Sequence, residues 1–133
     1  MEAETPIMIL KKAFEEAVGV ALPSRVLPGH LPPYPEGRLI VVGAGKAAAS
    51  MAQVVESHYD APLEGVVITR YGHALPTKKI MVLEAGHPVP DVAGKEATKD
   101  LLNYLHGLSR QDLVLFLVSG GGSALLVAPT GIT

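Results

Sequence analysis

Apolar and polar positions change rhythm along this chain. From Thr5, a residue that can cap the helix Pro6 would open, Ile7, Leu10, Phe14, Ala17 and Ala21 recur at helical spacing, predicting an amphipathic helix that ends near Leu22. Prolines at 23, 28, 32, 33 and 35, with Gly29, then forbid a periodic element, so residues 23–37 are expected to form an extended connector. From Arg38 onward, unbroken apolar runs alternate with helical spacing. Leu39–Val42, Gly65–Thr69, Ile80–Leu83 and Leu113–Val118 read as buried strands. Lys46 to about His58, with Ala47, Met51, Val54 and His58 on one face, reads as a helix, as does a later segment aligning Ala97, Leu101, Tyr104 or Leu105, and Leu108.

Continuous apolar strands alternating with helices predict an α/β fold, a Rossmann-like three-layer sandwich with a mostly parallel sheet. Between the second and third strands only Arg70 to Lys79 intervene, so an antiparallel pair or an irregular crossover is expected there. A length of 133 residues, 48% hydrophobic and 18% charged, suits one domain over residues 1–133 and is too short for two. After Ser123 a helix has barely begun, and the ending reads as that of the N-terminal piece of a longer protein.

Composition narrows the partners. A formal net charge of −2 with scattered lysines leaves no footprint for nucleic acid or an anionic membrane surface. No apolar stretch approaches the roughly 20 residues of a bilayer span, and Glu2 and Glu4 stand where a signal peptide would be basic. The absence of cysteine excludes disulfides and thiolate metal sites. A cytoplasmic protein is the expectation.

Candidate chemistry lies in two glycine-rich turns, Gly43-Ala44-Gly45-Lys46 and Ser119-Gly120-Gly121-Gly122-Ser123. Each follows an apolar strand, and unpaired N–H groups where a strand opens into a helix favour phosphate or carboxylate. Gly43-x-Gly45-x-x-Ala48 fits the dinucleotide fingerprint, but Arg70 holds the place of the expected acid and suits a 2′-phosphate instead. The Walker loop fails because Ala47 follows Lys46, and Gly-x-Ser-x-Gly is absent. Lys46 in a first helical turn would oppose the helix dipole, which points to a cation for an anionic substrate or a transferring phosphoryl group rather than a solvated lysine. In the proline-stiffened loop Gly86-His87-Pro88-Val89-Pro90-Asp91, Asp91 reads as an N-cap, and His87 is open between ligand contact and a hydrogen-bonded loop residue. No histidine has metal-ligand spacing, and no metal ligand is assigned.

Taken in order, Val42-Gly43-Ala44-Gly45-Lys46-Ala47, Thr69-Arg70-Tyr71-Gly72-His73, Glu84-Ala85-Gly86-His87-Pro88-Val89-Pro90-Asp91 and Val118-Ser119-Gly120-Gly121-Gly122-Ser123-Ala124-Leu125 resemble the N-terminal region of the glycerate 2-kinase family. That family is often labelled hydroxypyruvate reductase and includes the bacterial tartrate-degradation enzymes. The resemblance runs from about Thr5 to the end. It implies a protein about three times this length, with a second α/β domain and an active site in the cleft between the two. It further implies transfer of the γ-phosphoryl group of ATP, with Mg2+, to the 2-hydroxyl of D-glycerate. On that pattern Lys46 is catalytic, and Gly43, Gly45, His87 and the turn Ser119, Gly120, Gly121, Gly122, Ser123 hold phosphate or the glycerate carboxylate. Metal ligands would come from the missing C-terminal part, and this chain alone would have no turnover. A homodimer is compatible with the resemblance. The rival expectations are an NAD(P)H-dependent hydroxypyruvate reductase and a non-catalytic anion-binding domain.

Overall fold

The computed structural model describes residues 4–130. Thr5 accepts a hydrogen bond from Met8 N–H and Pro6 opens α1 (Pro6–Gly19), because the missing proline N–H is no loss in a first turn. The expected connector is not wholly irregular. Pro23 does what Pro6 does and starts a single turn, α2 (Pro23–Val26), followed by a 3-10 turn at Leu27–Gly29.

Four strands follow: β1 (Leu39–Gly45), β2 (Glu64–Arg70), β3 (Ile80–Ala85) and β4 (Leu113–Ser119). They form one sheet in the order β3-β2-β1-β4, with every pair parallel. The β2–β3 connection is the irregular crossover. Residues 71–79 carry no helix, and Gln53 Nε2 donates to the Pro76 carbonyl as the loop passes over α3 (Ala48–His58).

Two cores lie on opposite faces. Leu39, Val41, Val67, Ile80 and Leu117 pack with Ala48, Ala52 and Val55 of α3 on one face. Ile40, Val42, Ala44, Val66 and Ile68 pack with Ala97 and Leu101 of α4 (Val92–Tyr104), and with Leu125, on the other. The alternation of β1 residues between these cores is the two-residue period of a strand covered on both sides.

The buried face of α3 differs from the periodicity reading. Ala48, Ala49, Ala52 and Val55 are buried, while Val54 is half-buried and His58 is exposed. Small residues face the sheet and bring the helix axis close to it; the bulkier Met51 and Val54 flank that contact. The apolar stripe of α1 has no such cover: Ile7, Leu10 and Phe14 are 66–70% exposed.

Candidate functional site

The first crossover runs from β1 to β2 on one face and the last returns from β3 to β4 on the other, so the winding reverses between β1 and β4. In open α/β sheets the crevice beyond the strand ends at such a reversal is where ligands bind. Both glycine-rich turns meet there, because Gly45 and Ser119 are register partners at the ends of neighbouring strands.

Within this pair of turns the residues divide into two groups. Gly43 and Gly45 are buried inside β1 rather than in the turn. A Cβ at Gly43 would collide with the Leu117 carbonyl and one at Gly45 with Ser119 Oγ, and Gly45 also has φ +135°. Their absent side chains let β4 approach β1; that burial places them to pack and not to face a ligand. Lys46 is exposed and lies two residues before α3 begins at Ala48, so it stands outside the helix at its positive end. Gly120 and Gly121 are exposed with open space where a Cβ would stand, and Ser123 is exposed beside them. Gly122 packs toward Ala44 and begins a single turn in which Leu125 and Leu126 N–H donate to its carbonyl.

Ser119 has a partner that sequence did not announce. Its Oγ accepts the Ala47 N–H at 2.9 Å, tying the end of β4 to the start of α3. Among the described residues no side chain caps α3. An uncapped helix N-terminus, an exposed lysine and a glycine loop thus converge on one crevice, where the fixed partial charges favour an anion.

The remaining sequence candidates share this edge of the sheet but not the crevice. His87 is half-buried in the loop after β3. Since β3 is two strands away from β1, and strands lie about 4.8 Å apart, the end of β3 is about 10 Å from that of β1. Arg70 ends β2 and is half-buried. Around them the loops are tightly organised. Asp91 caps α4 through Gly94 N–H at 2.9 Å and accepts Tyr71 Oη–H at 2.7 Å. Backbone N–H groups of Gly86 and Gly94 and the tyrosine hydroxyl hold its carboxyl below the ordinary aspartate range, and the same carboxylate raises the Tyr71 hydroxyl. Glu84 accepts Gly72 N–H at 2.7 Å and Ala74 N–H at 3.4 Å.

Sequence reasoning missed Glu84, Thr69 and Glu56, which act on backbone groups distant in the chain. The one available signal was a polar residue ending or interrupting an apolar run, as Thr69 and Glu84 do.

A cleft of about 560 Å³ lies elsewhere, between α2 and the outer side of α3, lined by Leu22, Pro23, Ser50, Gln53 and Val54 among others. It contains no residue of either turn, and its Ser50 and Gln53 already bond to the Ala47 and Pro76 carbonyls. Chemistry therefore favours the crevice at the strand ends.

Fold and topology define a doubly wound α/β domain whose two glycine-rich turns lie side by side at its point of reversal. The family described as "Domain of unknown function (DUF4147)" matches residues 9–133, and the chain belongs to it. A protein of Agrobacterium vitis named "Putative hydroxypyruvate reductase" is 48% identical over 124 residues, covering 92% of this chain and 28% of that protein. The D-glycerate 2-kinase of Thermotoga maritima is 39% identical over 125 residues, covering 92% of this chain and 29% of that enzyme. A crystal structure of a Thermotoga maritima glycerate kinase superposes with TM-score 0.79 at 35% identity, covering 96% of this chain and 32% of that one. The chain spans 21–29% of the length of the curated relatives it matches. The homologues are thus named as glycerate kinases or as hydroxypyruvate reductases, and one solved structural neighbour is titled a glycerate kinase.

Proposed function

We propose that this chain is the anion-binding part of a cytoplasmic, ATP-dependent glycerate 2-kinase that converts D-glycerate to 2-phosphoglycerate. The observation that carries the reading is the meeting of Lys46 with the open Ser119–Ser123 turn where the winding reverses. The names of the homologues support the substrate.

When bound, ATP supplies the phosphoryl group, and the 2-hydroxyl of glycerate is the acceptor. Phosphoryl transfer asks a protein for positioning and positive charge more than for a covalent nucleophile. Lys46 offsets negative charge on the reacting groups, and backbone N–H groups of Gly120, Gly121 and Gly122 hold phosphate or carboxylate oxygens. Among the described residues no group of three or more His, Asp or Glu is placed to hold a metal ion. These residues therefore suit the anionic ends of the reactants, and the Mg2+ that accompanies ATP finds no ligand set among them. On this reading the chain alone binds a small anion weakly and does not turn over.

The second reading is an NAD(P)H-dependent hydroxypyruvate reductase, favoured by Gly43-x-Gly45-x-x-Ala48 and by the relative's name. Arg70 at the end of β2 stands where an NAD site carries its ribose-binding acid and suits the 2′-phosphate of NADPH instead. Phosphorus NMR of D-glycerate with ATP and Mg2+, run on this chain and on the longest product of its reading frame, separates the two. A 2-phosphoglycerate resonance from the long form alone is expected. Its absence from both folded proteins, with NADPH consumed by hydroxypyruvate, would transfer the assignment to the reductase.

A further inference from the structure

The peptide joining Lys46 to Ala47 is where β1 hands over to α3, and both of its polar ends are held by side chains from neighbouring strands. Its N–H, that of Ala47, donates to Ser119 Oγ on β4 at 2.9 Å. Its carbonyl, that of Lys46, faces Thr69 Oγ1 on β2 at 3.4 Å, a long contact but one in which the hydroxyl donates. Since β2 and β4 flank β1 on opposite sides, one peptide plane is gripped from left and right.

The residue types argue that this grip has a purpose. Thr69 is wholly buried at the end of the run Val66-Val67-Ile68, where valine would fill nearly the same space without a hydroxyl to satisfy. Gly45, one residue earlier, has φ +135°, and a Cβ there would occupy the position of Ser119 Oγ. A buried hydroxyl and a backbone angle open in practice only to glycine, both at one junction, are departures from simple packing of the kind found beside functional sites.

Resting on the reading of the crevice as an anion site, we propose that Ser119 and Thr69 are positioning residues that fix the Lys46–Ala47 peptide. Through it they set the direction of Lys46 and of the amides that open α3. Were the plane to turn over, the Lys46 carbonyl would point toward Ser119 and the end of β4, beside the open turn, where its dipole would repel the ligand that the turn otherwise attracts. Neither residue need touch the ligand for this role, and Ser119, which accepts here, keeps its own O–H proton.

The test is titration of inorganic triphosphate into the folded chain, followed by NMR, for wild type, Ser119→Ala, Ser119→Thr, Thr69→Val and Thr69→Ser. Loss of one hydrogen bond of ordinary net strength predicts about two- to tenfold weaker binding for Ser119→Ala and Thr69→Val. The hydroxyl-keeping variants Ser119→Thr and Thr69→Ser are expected to stay within about twofold of wild type, a rescue that general destabilisation would not give. In the wild type the Ala47 amide should also exchange slowly with deuterium although no backbone acceptor serves it. Equal affinities across the set, a rapidly exchanging Ala47 amide, or no triphosphate binding by the wild type would each overturn the proposal. A triphosphate series as expected from a protein that makes no 2-phosphoglycerate would leave the clamp standing and remove only the kinase assignment.

Discussion

At the amino edge of the sheet, charged side chains are committed to backbone and to one another; at the carboxyl ends of β1 and β4, by contrast, Lys46 and the open backbone of Gly120 and Gly121 face solvent. Before β1 and β4, Asp112 accepts the N–H groups of Arg38 and Ser109, both at 2.7 Å, and these backbone N–H groups, Arg38 first and then Ser109, hold its carboxyl below the ordinary aspartate range. Arg38 pairs with Glu64 at the start of β2. Glu56, near the end of α3, accepts N–H from Lys78, Lys79 and Ile80 at 2.6–2.8 Å and so sets the entry to β3. Tyr34 and Tyr59 hydroxyls donate to the Pro62 and Pro32 carbonyls, strapping the proline segment to the same edge. Among the described residues nothing comparable neutralises Lys46 or fills the space above Gly120 and Gly121. The difference separates charges that stabilise the chain from a lysine and an open glycine turn that do no such work, the property the proposed anion site requires.

Substitutions should separate the two edges by what they damage. The largest loss of stability is expected at Gly65, in the amino half of β2, where φ is +153° and a Cβ would enter the Val41 backbone. Gly65→Ala should cost about 3 kcal/mol or more in urea unfolding, or prevent folding. Glu56→Ala, which strips three amides of their acceptor, should cost about 1–3 kcal/mol by the same measurement.

The Glu56 contribution should also depend on pH. Burial pushes its carboxyl up, but the three N–H donors and Lys79 outweigh that and leave it below the ordinary value of 4.5. A depressed folded value means stabilisation that is present above pH 4.5 and lost as pH falls through the folded value. Wild type and Glu56→Gln should differ at neutral pH and converge in urea titrations carried progressively below pH 4.5.

At the carboxyl edge the expected change in stability is small. Lys46→Ala and Gly121→Ala should each leave stability within about 0.5 kcal/mol, since one side chain is solvated and the other position has room for a methyl group. Both should weaken triphosphate binding measured by NMR. A variant of either that unfolds the chain while sparing binding would reverse the comparison.

What was legible in the sequence follows the range of the interactions. The four strands, the caps at Thr5 and Asp91 and the pairing of strand with glycine turn are local patterns, and the structure carries them within a residue or two at most boundaries. The grouping of Lys46 with the Ser119–Ser123 turn was also legible, because parallel strands bring their ends to one edge. The face of α3 was misread because alanines gave the periodicity little contrast against Met51 and Val54. Glu56, Thr69 and the bond from Ala47 to Ser119 lay out of reach, their partners being more than twenty residues away. His87, open in sequence between ligand contact and a loop residue, lies after β3, two strands from β1, a distance that only the strand order gives.

The most direct test of the account is the footprint of triphosphate on the amide resonances of the isotopically labelled chain. Perturbations concentrated at residues 46–50 and 119–123, with the Arg38, Glu56 and Asp112 surroundings unmoved, are the predicted result. Perturbations centred on the cleft between α2 and α3, or spread along the amino edge, would contradict the placing of the anion site where the winding reverses.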